Sequence, residues 1–137
     1  MNVFALHPQL AADTTLVCDL ALCRVLLMED ARFPWLVLVP RRVDLVEFTE
    51  LDEHDCRLLT SEARQCALAL QQLYQPHKLN LGALGNVVPQ FHLHLVARYR
   101  HDARWPQPVW GFPPAEPYAI TQRETRIAEL RRALLPG

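Results

Sequence analysis

From Asp52 to Tyr74 the apolar residues Leu59, Ala63, Cys66, Leu70 and Leu73 recur at steps of four, three, four and three. That spacing draws one apolar stripe along a helix of about six turns. On both sides of this stretch the pattern changes to short runs rich in Val and Leu, cut by punctuation, which suits strands. TLVCDLALCRVLLME (15 to 29) breaks near Asp19 to Ala21 into two hairpin strands, and WLVLVP continues at 35 to 39 until Pro40. KLNLGALG (78 to 85), a Gly85-Asn86 turn and QFHLHLVAR (90 to 98) follow the helix as a second hairpin. The order is strands, long helix, strands. It predicts an α+β chain with an antiparallel sheet of about five strands and the helix over one face.

The helix has its own punctuation. Thr49 or Asp52 can cap its start, Glu50, Glu53 and Asp55 suit the positive end of its dipole, and Pro76 ends it. Beyond Arg98, DARWPQPVWGFPPAEP is too irregular for regular structure and too aromatic for a linker. It should pack on something. Thr121 and Glu124 have capping-box spacing, and a final helix through Leu134 presents Ile127, Leu130 and Leu134 on one side.

In 89 to 98, PQFHLHLVAR, apolar Phe91, Leu93 and Leu95 alternate with Gln90, His92 and His94. A strict period of two is the pattern of a half-buried strand, with the polar set on one face. Three readings compete for the two histidines. Polar residues on a solvated face need no function. A His-x-His pair on a strand can also bind a metal, given a third ligand, for which His54, His77 and His101 are candidates in principle. Thirdly, a neutral imidazole is a good nucleophile near pH 7, and a phosphohistidine divides one difficult displacement into two easier ones. A second, protonated imidazole would then neutralise phosphoryl charge or donate a proton, beside the backbone amides of the turn containing Gly82, Gly85 and Asn86.

These residues carry a resemblance. NLGALGNVVPQFHLHLVAR resembles the core of the histidine triad (HIT) superfamily of nucleotide hydrolases and transferases, with its Asn-x-Gly strand, Gly-Gln/Asn turn and His-φ-His-φ-His-φ-φ strand. FPWLVLVPRR is similar to that family's strand ending in Pro and basic residues, and RWP at 104 to 106 to a Trp-Pro beyond the triad in some members. The resemblance implies a HIT-like fold in a single domain over 1–137, with a core at about 15–98 and an aromatic, Pro-rich segment and helix at 99–137. It implies that His92 attacks the α-phosphate and carries the nucleotidyl group, that His94 binds phosphate oxygens, and that Asn86 and amides near Gly85 assist. Asn80 would support the phosphate side and Asp30 would contact the ribose. Gln90 stands where the family has its first histidine, as in a branch of short bacterial HIT-like proteins that share the PVWG tail. An amide can orient a neighbour but cannot shuttle protons. Val87 likewise stands where many members place Ser or Thr.

The substrates this implies are dinucleoside polyphosphates, nucleoside phosphoramidates and adenylylated small molecules. No cofactor is required, and a divalent metal would arrive on the substrate's phosphates. The alternative function is a nucleotide-binding module with little turnover. A homodimer is also implied, with Trp105 and Trp110 at an interface or pocket rim, or else packed within the chain.

A net charge of -1 gives no general attraction for nucleic acid or an anionic membrane. No apolar run approaches the roughly 18 residues of a membrane span, and the N-terminus lacks a signal-peptide pattern. A cytoplasmic protein is expected, with Cys18, Cys23, Cys56 and Cys66 as reduced core thiols.

Overall fold

The computed structural model describes residues 3–112 and 114–136. A short helix, α1 (Pro8–Asp13), leads into β1 (Thr14–Asp19), β2 (Cys23–Met28) and β3 (Trp35–Pro40). A 3-10 turn at Phe48–Glu50 precedes α2 (Glu53–Tyr74), which is followed by β4 (Lys78–Gly82), β5 (Leu93–Arg98) and α3 (Ile120–Leu134). All strand pairs are antiparallel, in the order β1-β2-β3-β5-β4. β5 is therefore an interior strand and β4 an edge.

The α2 stripe behaves as its spacing predicts, with Leu59, Ala63, Cys66 and Leu70 buried against Leu36, Leu38 and Leu95 of the sheet. Asp52 is the N-cap, accepting from the Asp55 amide at 2.8 Å. Glu62 on the same helix is buried, and its carboxylate accepts from the amides of Leu22 and Cys23 at 2.8 Å each. That contact ties the helix to the β1–β2 turn. Cys18, Cys23 and Cys66 are free and buried, and burial pushes the Cys66 thiol up to about 12. They remain thiols at neutral pH.

The opposite face departs from the half-buried strand expected for residues 90 to 98. It is also covered, by Leu10 of α1, Val88 and Val109, which pack on Trp35, Val37, Val39 and Val96. With apolar layers on both sides, all six residues of β3 are buried. The segment from 90 to 92 is not strand. Phe91 donates its amide to the Leu45 carbonyl at 2.9 Å, in the loop after β3, so this stretch diverges from β4; pairing with β3 begins at Leu93 and pairing with β4 only at His94. β4 accordingly stops at Gly82 rather than running to Gly85.

The capping box expected at Thr121 and Glu124 does not form. The helix begins earlier, after Ala119, which makes no side-chain cap, and Thr121 lies in its first turn. Tertiary anchors start it instead: Tyr118 is buried and accepts from Arg126 at 2.6 Å, and Arg123 grips Glu29.

The Pro/Trp-rich segment is fastened by Arg98, which is only 1% exposed. Its guanidinium donates to both carboxylate oxygens of Asp102 at 2.8 and 3.1 Å, to Asn80 Oδ1 at 2.8 Å and to the Gln107 carbonyl at 2.8 Å. Phe33 and Trp105 pack near its planar group. Burial pushes the Asp102 carboxyl up, but the Arg98 hydrogen bond and the amides of Tyr99 and Arg104 outweigh it and hold the group down at about 2.

Removing one partner of such a pair leaves a buried charge unpaired. Asp102→Ala should cost about 3 to 5 kcal/mol in urea unfolding at pH 7. Because the folded-state value is depressed, the Asp102 contribution is complete above the ordinary carboxylate value of about 4 and is lost as pH falls through 2. The gap between wild type and variant should narrow by about 2 to 3 kcal/mol over that window.

Candidate active site

His94 enters the site because β5 is interior. It pairs with Val37 on one side and Gly82 on the other, so its side chain shares the face of Val37. At Gly82 the missing side chain makes room: a Cβ there would stand 3.0 Å from the Trp110 ring. Trp110 thus lies over β4 with its ring edge-on to His94, the centroids 5.6 Å apart. From the β3 side, Trp35 donates its indole N–H to His94 Nδ1 at 3.0 Å.

That bond determines the proton's place. Since Nδ1 accepts, neutral His94 carries its proton on Nε2. Burial, and secondarily the neighbouring His92, pushes His94 down to about 4. In the free protein the second imidazole is therefore a neutral donor at pH 7, rather than the cation the sequence suggested.

His92 has the opposite tautomer. Its Nδ1 lies 2.7 Å from the Gln90 carbonyl, which can only accept, so Nδ1 bears the proton and Nε2 keeps its lone pair. The two rings sit 4.9 Å apart at 72°. One imidazole is an acceptor and the other a donor, side by side.

Each ring lines a different cavity. His94, with Trp35, Met28, Val109, Trp110 and Phe112, lines a cleft of about 650 Å³, within the ordinary size of a small-molecule site. His92 lines a smaller hollow of about 100 Å³ with Phe48, Phe91 and Gly85. Gly85 has φ +68°, a left-handed conformation that favours glycine.

The remaining sequence candidates divide. Asp30 is buried at the larger cleft, but Arg32 engages both its carboxylate oxygens, at 2.9 and 2.7 Å. Asn80 lines neither cavity, and its Oδ1 accepts from Arg98. Asn86 is exposed and lines neither cavity, whereas Val87 stands at the larger one. Gln90 commits its side chain to the N-terminal arm. Its Oε1 accepts from the His7 amide at 2.8 Å and its Nε2 donates to the Ala5 carbonyl at 2.9 Å. Sequence reasoning missed Trp35, whose place in WLVLVP reads only as core.

Among the described residues no three His, Cys, Asp or Glu side chains form a metal-ligating group. His77 instead accepts from Arg100 and packs on Trp105, and His101 packs on Tyr99.

A buried neutral histidine makes stability pH-dependent. The His94 value is about 4 when folded against about 6.5 unfolded, so the unfolded chain binds the extra proton between them. Stability should fall by about 3 kcal/mol at most as pH drops from 6.5 to 4. His94→Gln, which still offers Trp35 an acceptor, should lack that slope, and a nitrogen-resolved titration should show His94 neutral until pH nears 4.

A family model described as the HIT domain matches residues 9–101. The backbone matches a solved histidine triad protein from Bradyrhizobium japonicum at TM-score 0.95 and 43% identity, over 97% of this chain and 99% of that one. A histidine triad protein from Marinobacter aquaeolei matches at TM-score 0.94 and 41% identity, over 97% of each chain. One from Sinorhizobium meliloti gives 0.93 and 42%, over 96% and 97%. A search of curated proteins finds no match. Alike in sequence and in backbone over almost its whole length, the chain belongs to the HIT family.

Proposed function

We propose that the protein is a nucleotide hydrolase that acts at an α-phosphate through a nucleotidyl-His92 intermediate. The observation that supports this reading is the pair of opposite tautomers. His92 Nε2 attacks the α-phosphorus while the bond to the leaving oxygen breaks, and the Nδ1 proton stays on Nδ1, donated to the Gln90 carbonyl. His94 Nε2–H donates to a phosphoryl oxygen as charge develops there. Water then attacks the phosphorus, the P–N bond breaks with its electron pair returning to His92 Nε2, and the nucleoside monophosphate leaves as the water's proton passes to solvent. The cleft beside His94, walled by Trp35, Trp110 and Phe112, suits the nucleoside.

The leaving group is constrained by the same chemistry. A neutral imidazole titrating at about 4 is a weak acid source at pH 7 only by hydrogen bonding, because it holds no proton beyond its neutral one. Gln90 supplies none. Departing phosphates need little protonation, whereas amines need a full proton. Dinucleoside polyphosphates are therefore the preferred substrate class over phosphoramidates, and any divalent metal arrives on their phosphates.

Intact-mass measurement after mixing with a diadenosine polyphosphate, quenched at alkaline pH, should show an adenylyl adduct on His92. His92→Ala should abolish adduct and turnover while retaining nucleotide binding. Nucleotide binding without adduct or product in the wild type would favour a binding module, which the engagement of the Gln90 amide by the chain itself also suits.

We further propose a homodimer through the β4 edge. Phe48 and Leu81 are 57% and 54% exposed beside an apolar groove of about 380 Å³ between α2 and β4. An open strand edge flanked by such residues is a template for a second copy. Leu81→Glu should shift sedimentation to the monomer. No helix among the described residues is long and apolar enough to cross a membrane. The free buried thiols suit the cytoplasm.

A further inference from the structure

Position 90 departs from the family pattern, and its side chain has a definite task. A primary carboxamide presents an acceptor and a donor side by side, as a peptide group in a strand does. Gln90 uses both on one extended piece of backbone, accepting from His7 N at 2.8 Å and donating to Ala5 O at 2.9 Å. An imidazole cannot substitute, since its two ring nitrogens point apart. A carboxylate has no donor for Ala5.

The segment so held is anchored independently. Phe4 and Leu6 pack on the apolar layer that contains Trp35, Val96 and Val109, and Arg24 lies over the Phe4 ring at 5.5 Å. Gln90 is held from the other side as well, because the next residue, Phe91, donates to the Leu45 carbonyl at 2.9 Å. Between these two grips lies the Gln90 carbonyl, which accepts the His92 Nδ1 proton at 2.7 Å. Residues 90 to 92 lie outside the sheet, so no ladder hydrogen bonds fix that carbonyl's direction.

We propose that Gln90 is a positioning residue: it clamps the N-terminal arm at residues 5–7 to the segment carrying His92, and the clamp aims the carbonyl that holds the His92 proton. This rests on reading His92 as the nucleophile. The first triad position thereby trades proton transfer for preorganisation, and the arm becomes part of the active site.

Four variants test it. Gln90→Ala removes the clamp from one side. His7→Pro removes it from the other, since His7 has φ -55° and ψ 136°, values that proline adopts without strain, and only its N–H is lost from the bond. His7→Ala keeps that N–H, so comparing the two His7 variants separates the amide from the side chain, whose Nδ1 caps α1. Gln90→His restores the family residue.

Gln90→Ala and His7→Pro should each lower kcat about tenfold, as expected for one misaimed hydrogen bond, with KM changed less than about twofold. The double variant should be no slower than the slower single, because both break one contact. Gln90→His should resemble Gln90→Ala. A faster Gln90→His enzyme, or losses that multiply in the double variant, would overturn the proposal.

Proton exchange separates this from failure of the hydrolase reading. In wild type the His7 amide and the His92 ring N–H should exchange slowly by NMR, and in Gln90→Ala both should accelerate. If the wild type proves inactive, that acceleration still supports the clamp, and its absence overturns it.

Discussion

The buried guanidinium of Arg98 is the interaction on which the site depends. A charge that is 1% exposed is tolerable only if its donors are met, and here the partners come from three places in the chain. Asn80 belongs to β4, Asp102 to the turn after β5, and Gln107 to the Pro/Trp-rich segment. Satisfying Arg98 therefore draws that segment across the sheet. Once there, it sets Trp110 over Gly82 and against His94 and puts Val109 in the apolar layer. Asn80 owes its conformation to this knot, which explains why it is absent from the walls of both cavities.

The cover that Arg98 anchors has an electrostatic consequence. Trp35 and Trp110 exclude water from His94, and desolvation disfavours its cationic form. The polyanion site proposed above would ordinarily carry fixed positive charge, yet Arg32, beside the cleft, is consumed by Asp30. Binding as proposed then relies on oriented dipoles, the His94 N–H among them. In a low-dielectric site such dipoles act strongly on developing charge and need no reorganisation. The burial that lowers His94 is thus a cost to stability below neutral pH and, in the proposed reaction, a benefit to a phosphoryl transition state.

What was legible in the sequence was local and periodic. The α2 stripe, the β1–β2 break and the punctuation of β3 all came from neighbours in the chain, and the structure agrees with each. The misreadings share a cause. Residues 90 to 92 have strand alternation but bond to Leu45 instead of β4, and Thr121 has cap spacing but follows a helix start set by Tyr118. In both, a contact remote in sequence overrode a local pattern. The short α1 went unread because six residues hold too little periodicity. The partners of Gln90 lie 83 and 85 residues away, and the partner of Trp35 lies 59 away. Alternation predicts which face a side chain takes, but not what a distant segment lays upon that face.

Gln90 shows how a family pattern can mislead when read one residue at a time. Counted as a missing histidine, it suggests a weakened catalyst. Placed in the fold, it is the hinge between an arm that residue spacing could not locate and the proton that fixes the His92 tautomer. The two functions expected of a triad, acceptor and donor, are both present without a third imidazole, because backbone and indole take the supporting roles. The Gln90 carbonyl accepts from Nδ1–H of one imidazole, and the Trp35 indole donates to Nδ1 of the other, so each ring's proton has a fixed place. An arrangement of this kind has no spare proton to relay. In the proposed reaction it is matched to leaving groups that are stable as anions, and a side chain without a titratable group at position 90 suits the same division of labour.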